Sequence, residues 1–105
     1  EMIISNAGGA TMTYQPNIDI DNSVYGNMPF QNIPWVLYGG ANDPNPERDG
    51  IPAMARTKDW IESHGADVRL FIQDEDGDHG GFHMDSENVN AALDIYEDIK
   101  NDILP

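Results

Sequence analysis

Pro34-Trp35-Val36-Leu37-Tyr38 is apolar at every position. A run that does not alternate with polar residues suits a strand covered on both faces, which is the environment of a parallel sheet between helical layers. Two further apolar runs, Met2-Ile3-Ile4 and Val68-Arg69-Leu70-Phe71-Ile72, are the other strand candidates. The stretch from Asp49 to His64 reads as a helix, with Asp49 near the cap, Pro52 in the first turn, Met54, Thr57 and Ile61 on one stripe, and Gly65 as the stop. A second helix is expected from Ser86 to Leu104, because Val89, Ala92, Leu93, Tyr96, Ile99 and Ile103 recur at steps of three and four. Asp94, Glu97, Asp98 and Asp102 fall elsewhere around its circumference. Strand, helix, strand, helix predicts an α/β fold: a small parallel sheet of about three strands with two principal helices and right-handed crossovers.

With 105 residues the chain has room for one domain and one small core. The hydrophobic share of 39% is too large for a disordered acidic tail. Residues 6–33 are rich in Asn, Gly and Pro and hold no sustained period. They are expected to form a long irregular surface loop, pinned to the core by Met12, Tyr14, Tyr25, Met28 and Phe30. Nineteen acids against five Lys and Arg give a net charge of -14, which repels phosphate backbones and anionic lipid, so neither nucleic acid nor membrane is an expected partner. No apolar run reaches membrane-spanning length. The absence of cysteine removes disulfides, thiolate metal sites and thiol nucleophiles. Residues 1–42 carry only Glu1, Asp19 and Asp21, whereas the other end is densely acidic with Lys100 as its cation. That pattern reads as solvated surface, of a kind suited to high salt or an extracellular setting. The N-terminus, Glu1-Met2-Ile3-Ile4, has no basic n-region, no cleavage motif and no initiating Met, and is expected to be a processed or excised end.

The chemistry lies just beyond two of the predicted strands. Gly39-Gly40-Ala41-Asn42-Asp43-Pro44 follows the first, and Gln73-Asp74-Glu75-Asp76-Gly77-Asp78-His79-Gly80-Gly81 follows the second. Ligand sites in parallel α/β sheets form outside the carboxyl ends of the strands, so neighbouring strands would bring Asp43 and His79 together there. A carboxylate that accepts a hydrogen bond from one imidazole nitrogen fixes the tautomer and leaves the other nitrogen as base toward a hydroxyl. Asp43 and His79 are therefore the candidate catalytic residues. The glycines around His79 suggest close backbone approach, while His83 and His64 read as a loop residue and a helix C-terminal charge.

On these residues the chain resembles the C-terminal part of an α/β-hydrolase, of the serine esterase and polyhydroxyalkanoate-depolymerase-like kind. The acid turn Gly40-Ala41-Asn42-Asp43, the helix ending at His64-Gly65-Ala66-Asp67, the last strand, and the loop Gly77-Asp78-His79-Gly80-Gly81-Phe82 come in the family's order. Ile3-Ile4-Ser5-Asn6-Ala7-Gly8-Gly9 looks like the strand that follows the nucleophile helix. The resemblance implies acyl transfer on a small ester or an esterified polysaccharide, with His79 as general acid and base, Asp43 orienting it, and no cofactor. No Gly-x-Ser-x-Gly elbow occurs, and Ser5, Ser23, Ser63 and Ser86 are the only serines. The nucleophile is therefore expected upstream of Glu1, and the expected partner is the missing N-terminal half or another chain that completes the sheet.

A non-catalytic acidic module is the alternative. Asp74, Asp76 and Asp78 alternate like the first ligands of a calcium loop and Asp85 stands at the twelfth position, although His79 occupies the sixth, where Gly is usual. His79 and His83 with nearby carboxylates would suit zinc only on a helix, which Gly80 and Gly81 oppose. Trp35, Trp60, Tyr14 and Tyr25 would serve carbohydrate binding if their faces were exposed in a row, but Trp35 and Trp60 are expected at the core or its edge.

Overall fold

The protein is described over residues 1–103 in a computed structural model. Strands β1 (Ile3–Asn6), β2 (Pro34–Gly40) and β3 (Asp67–Asp74) form one parallel sheet in the order β1-β2-β3. The helices are α1 (Gln15–Asp21), α2 (Pro46–Asp49), α3 (Ile51–Ser63) and α4 (Ser86–Ile103), with a 3-10 turn at Gly81–Met84. The fold is a small three-stranded parallel α/β sheet with helices. The last expected helical residue, Leu104, lies outside the described residues.

β2 is the middle strand, and Val36, Leu37 and Tyr38 are completely buried. Its side chains alternate between two packed layers, as strand geometry requires. Leu37 meets Met54 and Ile61 of α3, with Trp35, Phe71 and Phe30 around them. Val36 and Tyr38 meet Phe82 and Ala92 on the α4 side, with Leu70 and Ile72. β3 serves both layers through a bulge: Trp35 pairs with Val68 and Val36 with Leu70, so exposed Arg69 is the extra residue. That single insertion puts Val68 and Phe71 on one face, where strict alternation would separate them.

The region 6–33 is not one irregular loop. Residues 15–21 form α1, aided by Pro16 in its first turn and a 2.7 Å hydrogen bond from Gln15 Nε2 to Asp19 Oδ1. The aromatic and Met pins fail too, because Met12, Tyr14, Tyr25 and Met28 are exposed; of the five, Phe30 alone packs, edge-on to Trp35 and Trp60. Polar bonds hold the segment instead. The Ala10 N–H donates to Thr57 Oγ1, Trp60 Nε1–H donates to Asp21 Oδ1, and His64 Nε2 lies 2.9 Å from the same oxygen.

The expected helix from Asp49 to His64 is divided. Gly50 is extended, and it separates the single turn α2 from α3. Asp49 is thus the buried last residue of α2, one position before Gly50, which caps α3. The expected stripe of α3 does pack, with Met54, Thr57 and Ile61 all buried. On α4, Ala92 and Ile99 are buried while Leu93 and Tyr96 stay exposed. Those two border an open apolar groove with Met2, Ile4, Phe82 and Val89. Among the described residues β1 pairs on one side only, and Ile3 and Ile4 are exposed.

Candidate functional site

The two loops beyond β2 and β3 are locked to each other before any side chain contributes. The ladder runs one step past the strands, since the Ala41 N–H donates to the Asp74 carbonyl at 2.8 Å and the Asn42 N–H to that of Gly77 at 2.9 Å. Glycine permits this approach: a Cβ on Gly77 would enter the Tyr38 hydroxyl and lie 2.8 Å from the Asp74 carboxyl. Tyr38 Oη–H donates to Asp74 Oδ2 at 2.9 Å, Asn88 Nδ2–H reaches the same oxygen at 3.3 Å, and the Asp76 N–H donates to Asp74 Oδ1. Burial pushes the Asp74 carboxyl up, but these three donors outweigh it and hold the carboxyl below its ordinary value. The Tyr38 hydroxyl, buried and facing that carboxylate, is pushed up to about 12.

Asp43 is oriented by its own turn, its Oδ1 accepting the Asn45 N–H at 2.8 Å in an Asx turn before Pro44. His79 is followed by Gly80 at φ 67°, which turns the chain into the 3-10 segment. Asn6, at the end of β1, braces this turn by donating to the Gly80 carbonyl at 2.9 Å and accepting the Phe82 N–H at 3.4 Å. The consequence is that Asp43 Oδ2 lies 2.8 Å from His79 Nδ1.

The two partners differ in exposure: the Asp43 side chain is 1% accessible and that of His79 is 51% accessible. Burial would push the Asp43 carboxyl up, yet the Asn45 N–H, the His79 hydrogen bond and the neighbouring Arg48 charge prevail, so it titrates below its ordinary value. An ionised carboxylate only accepts hydrogen bonds, so Nδ1 carries the proton. Nε2, on a half-exposed ring, is then the nitrogen with a lone pair for a proton from outside. Among the described residues no serine or threonine hydroxyl is hydrogen-bonded to His79.

Asp49 is the second carboxylate of the site. Its Oδ2 lies 4.0 Å from His79 Nδ1 and accepts Arg48 Nε–H at 2.7 Å. Asp43, Asp49 and His79 each bring one donor atom within 4.8 Å of the others. A cation there would displace the imidazole proton and compete with Arg48 for the Asp49 oxygen. Asp74, Asp76, Asp78 and Asp85 form no such group among the described residues. Asp74 serves the Tyr38 network, and Asp85 Oδ1 accepts the Glu87 N–H at the start of α4. His83 is exposed, and His64 packs against Trp60 and Phe30. Trp35 and Trp60 are partly buried around Phe30, while Tyr14 and Tyr25 are exposed and form no stack with them.

Sequence reasoning missed Tyr38, Asn88 and Asp49. Tyr38 was legible only as an apolar strand residue, and Asn88 sits on the helix without a motif. The Asn-Pro-Glu-Arg-Asp-Gly segment did contain a signal for Asp49, since a proline opening and a glycine closing four residues can mark a separate turn of helix. No family model, no curated protein and no solved structure matches the chain.

Proposed function

We propose that this chain is the C-terminal, acid-and-histidine part of a serine hydrolase acting on carboxylic esters, similar to the α/β-hydrolases. The observation that supports the reading most is the 2.8 Å bond between buried Asp43 and half-exposed His79, at the carboxyl ends of adjacent parallel strands. In this reading a serine from outside the chain donates its proton to His79 Nε2 as its oxygen attacks the ester carbonyl. Asp43 stabilises the imidazolium, which then returns the proton to the departing alcohol. Water repeats the sequence to release the acid. The edge of β1 that is unpaired among the described residues, with exposed Ile3 and Ile4, is the surface on which the nucleophile-bearing half or another chain continues the sheet. The substrate class is a small ester or an esterified polysaccharide.

The test uses the full gene product and a p-nitrophenyl ester. His79→Ala is expected to lower kcat by about 10³-fold or more, and Asp43→Asn to approach that loss by favouring the wrong tautomer. Near-normal hydrolysis by His79→Ala would exclude the reading.

A further inference from the structure

The mechanism above uses one carboxylate, yet two converge on the same imidazole nitrogen. Asp49 comes from α2, a different element from the Asp43 turn, and its side chain is 12% accessible. Asp49 is buried although its ion-pair partner Arg48 is 66% accessible, so the pair with Arg48 is not what draws it inward. Its carboxylate is engaged by Arg48, and its backbone is held in a tight turn. Arg48 Nε–H donates to Oδ2, and the following Gly50 packs so tightly on Pro46 that a Cβ there would lie 2.6 Å from the Pro46 Cα. The oxygen held in this way is the one 4.0 Å from His79 Nδ1.

The charges around the ring come from several elements. Asp43 and Asp49 face His79 from two elements, Arg48 is, among the described residues, the cation paired beside them, and Asp78 adjoins the ring along its own loop. With a neutral imidazole the Asp43, Asp49, Arg48 and His79 group carries one net negative charge. With an imidazolium it is balanced. The imidazolium that forms when a hydroxyl gives up its proton is thus matched in charge within this group, and a carboxylate oxygen has lone pairs for both Arg48 and a second donor.

We infer that Asp49 is a positioning residue: its carboxylate, 4.0 Å from His79 Nδ1, backs Asp43 as a reserve acceptor for that proton and so keeps the imidazole in its working tautomer. This rests on the acid and histidine reading of Asp43 and His79. Closing the distance from 4.0 Å to hydrogen-bond range requires a small rotation of the ring or of the carboxylate, and loss of the Asp43 acceptor supplies the reason for it.

The experiment is ¹⁵N NMR of the His79 ring nitrogens at pH 8 in the ¹⁵N-histidine-labelled full gene product, with His79→Gln giving the assignment. In the unaltered protein Nδ1 is protonated. In Asp43→Ala it stays predominantly protonated, and in Asp43→Ala/Asp49→Asn the ring reverts to the ordinary mixture dominated by Nε2–H. Residual ester hydrolysis is expected to fall at least about tenfold further on adding Asp49→Asn. Asp43→Asn with and without Asp49→Asn, a pair that preserves side-chain volume, gives the same comparison if alanine disrupts the turn: the Nδ1–H fraction is higher where Asp49 is present. Equal tautomer ratios and equal residual rates with and without Asp49 overturn the inference and leave the hydrolase reading intact. An unprotonated Nδ1 in the unaltered protein instead removes the acid and histidine pair itself.

Discussion

Tyr38→Phe isolates the bond that ties the middle strand to the histidine loop. Tyr38 is fully buried, and its hydroxyl donates to Asp74 Oδ2 at 2.9 Å. The substitution keeps the ring, its edge contact with Phe82 and nearly all the packing. What disappears is one hydrogen bond to an ionised acceptor, and Asp74 Oδ2 is left with the longer Asn88 contact. A bond of this kind contributes about 1.5–3 kcal/mol, so we expect a loss of about 2 kcal/mol at pH 7, read as a lower urea midpoint at unchanged slope. The pH dependence sharpens the test. Asp74 has a depressed carboxyl in the folded protein, so its contribution is complete above the unfolded value and is lost as pH falls through the folded one. Tyr38 has a raised hydroxyl, so its contribution is complete below the ordinary tyrosine value and is lost as pH rises toward about 12. The gap between unaltered and variant protein should therefore be widest across neutral pH and narrow at both extremes. A gap under about 0.5 kcal/mol at pH 7, below what such a bond contributes, would refute the reasoning, and so would one that does not narrow in acid.

Gly77→Ala drives a Cβ into the Tyr38 hydroxyl and the Asp74 carboxyl, and we expect about 3 kcal/mol or more of destabilisation in the same urea titration. Leu37→Ala empties the centre of the α3 layer, where Leu37 is fully buried against Met54 and Ile61, and should cost about 2–5 kcal/mol. Asn6→Leu removes the brace on the Gly80 and Phe82 backbone, and in the full gene product it should reduce ester hydrolysis more than it reduces the urea midpoint. Asp43→Asn should remove a stabilisation that exists above the unfolded carboxyl value, so the acid-unfolding curves of variant and unaltered protein converge as pH falls through the depressed folded value.

Much of the architecture was legible because it rests on local patterns. The unbroken apolar run at 34–38 specified a strand with both faces covered, and Met54, Thr57 and Ile61 specified the packed stripe of α3. The strand order that brings Asp43 beside His79 followed from placing two loops at one end of a parallel sheet. The parts that were not legible depend on contacts distant in sequence. α1 spans less than two turns and gains its hold from Asp21 meeting Trp60 and His64, which no local period reveals. Tyr14 and Tyr25 have the composition of anchors but face solvent, because polar bonds already fix the segment. The break at Gly50 turned an apparent helix cap, Asp49, into a buried member of the site.

The proposed reaction turns on His79 serving a hydroxyl nucleophile, and labelling of the full gene product with a fluorophosphonate addresses that directly. The reagent reacts with a serine whose proton a neighbouring base removes. One labelled serine outside residues 1–105 is expected in the unaltered protein, with loss of labelling in folded His79→Ala. Undiminished labelling in His79→Ala, or a folded and unaltered protein that takes up no label, would contradict it.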